Sequence, residues 1–239
     1  MKLIRAPNLG RAHELAVQYV LENGYYIKTE NGEDTIESDE LCIVVSTPLE
    51  SPKVSSHSRF KQSFLDEYTR HLINGSESVF EYDYHERLFE WGNGYIKDRN
   101  GIGVSCNQVQ YIIDKLRSNP ESRRAIGVTW CPVMDNHLND CPCLQLVQCV
   151  IRNNKLNMRV VFRSNDMLSA AGANMYALVG LQQHVAEQIG LYIGSYTHIS
   201  LVPHIYFKRD IADIPNFCQL GKSFVPNAIV CQKCNKCNR

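Results

Sequence analysis

Apolar residues recur at helical spacing through RAHELAVQYVLE (11–22), and the run stops at Asn23-Gly24, which predicts a helix ending there. LCIVVSTPL (41–49) is a short, nearly continuous apolar stretch and reads as a buried strand. SPKVSSHS (51–58) is small and polar and predicts a loop, followed by a helix through SFLDEYTRHLING that stops at Asn74-Gly75. NQVQYIIDKLRS (107–118) has the pattern of an amphipathic helix closing at Asn119-Pro120. From Ala125 the pattern changes to strands, AIGVTW, LQLVQCVIR and LNMRVVFRS, the last two joined as a hairpin by Asn153-Asn154. NMYALVGLQQHVAEQIG then predicts a long apolar helix with Gly190 at its C-cap, and SYTHISLVPHIY returns to strand. With no internal repeat or low-complexity linker, the expectation is one α+β domain, a central mixed or antiparallel sheet flanked by helices. It should cover residues 1–217, with 218–239 as a Cys-rich tail.

Composition narrows the function classes. At 239 residues and 44% hydrophobic content the chain can bury a large core as one domain. Lys+Arg and Asp+Glu balance at 25 each, so no global basic field points to nucleic acid, and an anionic ligand must be held by a local cluster. No apolar run reaches the roughly 20 residues needed to span a bilayer. The N-terminus MKLIRAPNLGRAHELA lacks a signal-peptide core. A cytoplasmic location is expected, and there the ten cysteines are core fillers, nucleophiles or metal ligands before they are disulfides.

Two cysteines stand beside Pro142, Cys141 and Cys143, and twenty residues on the chain reads Arg163-Ser164-Asn165-Asp166. A thiol attacks as thiolate and wants a nearby cation, which an arginine on the neighbouring strand could supply. That arginine could equally clamp a phosphate. A cysteine in a strand is more often a small hydrophobe, and adjacent arginines such as Arg123-Arg124 more often a solvated pair. Asn174 could cap its helix, and His204 could be a satisfied structural histidine.

The ordered set Ser122-Arg123-Arg124, Trp130, Pro142-Cys143, Gln148, Arg163-Ser164-x-Asp166, Asn174 and His204-x-Tyr206 resembles the thymidylate synthases and the closely related pyrimidine-nucleotide hydroxymethylases. Only Cys143, not Cys141, fits the family spacing to Gln148 and Arg163. The resemblance implies that Cys143 adds to C6 of a uracil ring, whose C5 then attacks the one-carbon unit of a methylene-pterin. It implies that Arg163 and Ser164 bind the 5′-phosphate of dUMP, that Arg163 favours the thiolate, and that Gln148 belongs to the substrate-binding set. Arg123 and Arg124 would reach the phosphate from a partner subunit, in a homodimer formed through the sheet. Asn174 would read the O4 and N3 edge of the base, His204 and Tyr206 the ribose 3′-hydroxyl, and Asp166 would position nucleotide and pterin. Glu67 is the candidate for the family's catalytic glutamate and Tyr84 for its tyrosine, although His85 follows where the family has glycine.

Several positions depart from the family pattern. The Leu168–Asn174 run LSAAGAN has smaller side chains than the family's Leu-Gly-Leu-Pro-Phe-Asn, which points to a roomier pterin wall. Leu144 stands where many members have histidine, and only Lys28 or Arg5 offers itself for the mobile phosphate loop. The end of the chain, CQKCNKCNR, carries Cys231, Cys234 and Cys237, with Cys218 upstream, a spacing compatible with zinc or an iron–sulfur centre. No metal is expected in the active site itself. The expected function is reductive methylation of dUMP with methylene-tetrahydrofolate or methylene-tetrahydromethanopterin. A hydroxymethylase that adds water to the same intermediate is the alternative, and a non-catalytic nucleotide-binding regulator the second.

Overall fold

In the computed structural model, the described residues are 1–76, 83–92 and 97–217. The chain opens with β1 (Lys2–Ala6) and α1 (Leu9–Asn23), whose first turn is capped by the Asn8 side chain accepting from the Arg11 N–H. A small hairpin, β2 (Tyr25–Lys28) and β3 (Asp34–Glu37), precedes β4 (Leu41–Val45). Helices α2 (Gln62–Asn74), α3 (Tyr84–Phe89) and α4 (Gln108–Ser118) follow, then β5 (Ile126–Val128) and the short α5 (Pro132–Asp135). The hairpin β6 (Leu144–Arg152) and β7 (Lys155–Phe162) turns at Asn153 and Asn154, both at positive φ (52° and 55°), the left-handed pair that a tight hairpin demands. The two-residue β8 (Asn165–Asp166), α6 (Ala171–Gln188), β9 (Tyr192–Ser200), β10 (Pro203–Ile205) and α7 (Ile214–Phe217) complete it.

Six strands form one mixed sheet in the order β1-β4-β9-β7-β6-β5, and four short ones a second, β2-β3-β10-β8. The expected α+β class holds, with two sheets instead of one. Helices α1, α4 and α6 cover one face of the larger sheet, and α2 stacks on α6. The core is built there from side chains such as Ile43, Val160, Phe162, Met175 and Leu178. Among the described residues, the opposite face is open. One cross-strand row on it, Leu3, Cys42, Ile199, Val161, Leu146 and Val128, is wholly apolar. The next row runs Arg5, Val44, Thr197, Arg159, Gln148 and Ile126. All twelve are partly or fully solvent-exposed.

Three expectations shift. The strand foreseen over 41–49 ends at Val45, where the chain turns. Helix α6 starts at Ala171 with Ala170 at its N-cap, so Asn174 lies inside the first turn and does not cap it. The cysteine tail, Cys218 and Cys231 through Cys237, lies outside the described residues.

Candidate active site

A cavity of about 450 Å³ opens between the two sheets and α2. One wall comes from the loop before β6, the segment between β7 and α6 and the first turn of α6, which bring Cys143, Arg163, Ser164, Asp166 and Asn174 to it. His204 and Tyr206 enter from β10 and its end, Tyr84 from α3 and Tyr68 from α2. The facing wall is the β2–β3 turn, with Thr29, Glu30, Asn31 and Glu33, continued by Thr35 and Glu37.

Cys143 sits one residue before β6, and its carbonyl accepts from the Arg163 N–H at 2.8 Å, so the hairpin register sets Cys143 opposite Arg163. The Arg163 guanidinium donates through Nε to the Pro142 carbonyl (3.1 Å) and through Nη2 to the Cys141 carbonyl (2.7 Å). It thereby clamps the backbone that carries Cys143. The Leu144 N–H donates to the Tyr84 hydroxyl at 3.0 Å, fixing the other side of the same loop. Cys141, by contrast, does not line the cavity.

At the other end, His204 Nδ1 lies 3.2 Å from the Val202 carbonyl and 3.3 Å from Ser164 Oγ. A carbonyl only accepts, so in the neutral ring Nδ1 carries the proton and Nε2 is left as an acceptor. Tyr206 packs edge-on to this ring, centroids 5.0 Å apart. Asp166 accepts the Leu168 and Ser169 N–H groups (3.2 and 3.0 Å), turning the chain into α6, and its other oxygen pairs with Arg209. Arg209 also covers the Tyr206 ring at 4.5 Å and pairs with the buried Asp210. Arg209 was absent from the expected site, and its contacts tie two expected residues together.

Four expected residues lie elsewhere. Glu67 points to solvent: its carboxylate is 51% exposed and bound by Arg70 and His71, and Arg70's hydrogen bonds hold its pKa down at about 2. Neighbours on a helix point roughly 100° apart, and on α2 the inward stripe is Leu65, Tyr68, Thr69 and Leu72. Tyr68 is therefore the residue α2 presents to the cavity, donating to Asn174 Oδ1 at 3.1 Å. Burial, with the charges of Asp83 and Cys143 nearby, pushes its phenol up to about 12. The spacing of Leu65 and Leu72 could have revealed this. Gln148 lies on the open sheet face, its amide donating to the Arg123 carbonyl (3.2 Å), and Arg123 and Arg124 are exposed in the loop before β5. None of these three lines the cavity, nor do Lys28 and Arg5.

The thymidylate synthase family profile matches residues 61–220, a span containing every cavity residue except those of the β2–β3 wall. The chain belongs to the thymidylate synthase family. A protein of Methanocaldococcus jannaschii named "Putative thymidylate synthase" is 37% identical over 222 residues, 91% of this chain and 96% of that one. One of Methanosarcina barkeri, with the same name, is 34% identical over 206 residues, covering 86% and 89%. A third, from Methanothermobacter thermautotrophicus, is 29% identical over 204 residues, covering 80% and 86%. Members of this family are transferases that use a methylene-tetrahydrofolate-type one-carbon donor.

Within that family frame the small-residue segment before Asn174 gains a structural reason. The buried His13 of α1 donates from Nε2 to the Met167 carbonyl (2.8 Å), and its ring fills the space beside Gly172. A Cβ on Gly172 would meet His13 Nδ1 at 2.7 Å. Ala171 and Ala173 are buried, and only Ala170 and Asn174 of the run reach the cavity. The missing volume thus serves the packing of α1 against α6.

Proposed function

We propose that the protein is a thymidylate synthase converting dUMP to dTMP with a methylene-tetrahydropterin of the folate or methanopterin type. The observation that carries this is the single cavity in which Cys143 lies opposite Arg163 with Ser164, Asn174, His204 and Tyr206 around them. In this reading the Cys143 thiolate adds to C6 of the uracil, and the electron pair runs to O4 as an enolate. C5 then attacks the one-carbon unit, loses its proton, and expels the pterin to leave an exocyclic methylene. Hydride from the pterin reduces that carbon to methyl, leaving dihydropterin, and the cysteine departs from C6. Arg163, Ser164, His204, Tyr206 and Asp166 hold phosphate, ribose and ring so that the thiolate meets C6 within bonding reach. Tyr84 braces the loop of the nucleophile.

The cavity also supports a homodimer through the open sheet face. Its acid-rich lining sets Glu30, Glu33, Glu37 and Asp140 against Arg163, too little positive charge for a phosphate that is close to dianionic at pH 7. Arg123 and Arg124 are exposed in the loop before β5, at the edge of the open face, where a second copy would carry them to its partner's cavity. Gln148 then acts by anchoring their loop, not by touching substrate.

The test is the product. Purified protein with dUMP and either methylene-tetrahydrofolate or methylene-tetrahydromethanopterin should yield dTMP and the dihydropterin by mass spectrometry, and Cys143→Ala should yield neither. A hydroxymethyl product with the tetrahydro form regenerated would establish a hydroxymethylase instead. Binding of dUMP with no product from either donor would establish a non-catalytic nucleotide binder.

A further inference from the structure

The hydroxyl of Tyr68 donates to Asn174 Oδ1 at 3.1 Å, and both residues line the cavity. A carboxamide presents an acceptor on one side and two donors on the other, so which side meets a ligand depends on what fixes it. We propose that Tyr68 is a specificity-determining positioning residue: by taking the oxygen of Asn174 it turns the Nδ2 hydrogens toward the base, selecting a pyrimidine with a 4-oxo group over one with a 4-amino group.

This inference rests on the reading of the cavity as a pyrimidine-nucleotide site. Its physical basis is local. Tyr68 is held in place by α2 on one side and by its ring lying parallel to Phe64, centroids 6.3 Å apart at 8°. Buried beside Asp83 and Cys143, the phenol keeps its proton throughout the physiological range, so it stays a donor and Oδ1 stays its acceptor. A 4-amino group would then meet donor against donor, a buried mismatch that sites of this kind reject strongly. Helix α2 offers no carboxylate here, since Glu67 is turned to solvent and bound by Arg70.

The experiment measures dissociation constants of dUMP, dCMP and the nucleotide of pyrimidin-2-one, which lacks any 4-substituent, by calorimetry. In the wild type the expected order of affinity is dUMP, then the pyrimidin-2-one nucleotide, then dCMP. Tyr68→Phe keeps the ring and its stacking and removes the donor. It should lower the dUMP-over-dCMP preference by about tenfold or more, while circular dichroism shows the fold retained. An unchanged preference in Tyr68→Phe overturns the proposal and leaves the nucleotide site standing. So does wild-type protein that binds dCMP as well as the pyrimidin-2-one nucleotide, whatever the variant does. Failure of the wild type to bind any of the three removes the nucleotide reading itself, and this proposal with it.

Discussion

At the scale of single residues, burial decides the protonation of His198, which bonds Asn165 of the cavity wall. His198 lies wholly inside, its Nε2 donating to Asn165 Oδ1 (3.1 Å) and its Nδ1 accepting from the Tyr196 hydroxyl (3.0 Å), and desolvation pushes its pKa down to about 3 from 6.5. The unfolded chain binds a proton below pH 6.5 that the folded one refuses until about 3. Stability attributable to His198 is therefore complete above that window. It falls as pH drops through it, by up to about 1.4 kcal/mol per pH unit. Urea unfolding of wild type and His198→Asn should show the wild-type advantage shrinking between about pH 7 and about pH 5. An advantage equal at both would mean that burial as the neutral ring is not its source. The cavity-lining residues legible in the sequence were those whose chemistry is announced by type, such as Cys143, Arg163 and His204. On α2 the sequence named Glu67, but helix phase turns that carboxylate to solvent and presents Tyr68 to the cavity. Arg209 was hidden because its role depends on two partners brought together only by the fold.

Elements long enough to show their period were legible: α1, α2, α4 and α6 at 15, 13, 11 and 18 residues, and the β6–β7 hairpin with its Asn153-Asn154 turn. The second sheet was not, because its strands run from two to four residues and alternate too briefly to stand out from loop. Yet the β2–β3 turn of that sheet forms the acidic wall of the cavity, so the illegible part carries one whole wall of the site. The packing of α1 on α6 can be tested at Gly172. Gly172→Ala places a Cβ 2.7 Å from His13 Nδ1 and should destabilise by about 1–3 kcal/mol, read as a lowered Tm. Adding His13→Ala should recover part of that loss, since the two changes share one contact. Strict additivity of the two losses would locate the strain elsewhere.

For the whole molecule, the proposed dimer links the open sheet face to the cavity's shortage of positive charge. Among the described residues, a six-stranded sheet with helices on one face leaves an apolar row from Leu3 to Val128 uncovered, and in the proposed dimer a second copy covers it. If the copies pair there, each cavity takes its nucleophile from one chain and Arg123 and Arg124 from the other. Two inactive variants, Cys143→Ala and the double variant Arg123→Ala, Arg124→Ala, then have complementary defects. Mixed, unfolded and refolded together, they should form hybrid dimers in which one cavity has every group intact and the other lacks both sets. Random assembly makes about half the dimers hybrid with one working cavity in two, so activity should return to roughly a quarter of wild type. If the arginines served the cavity of their own chain, every cavity in the mixture would lack either the thiol or the cations, and the mixture would be as inactive as its components.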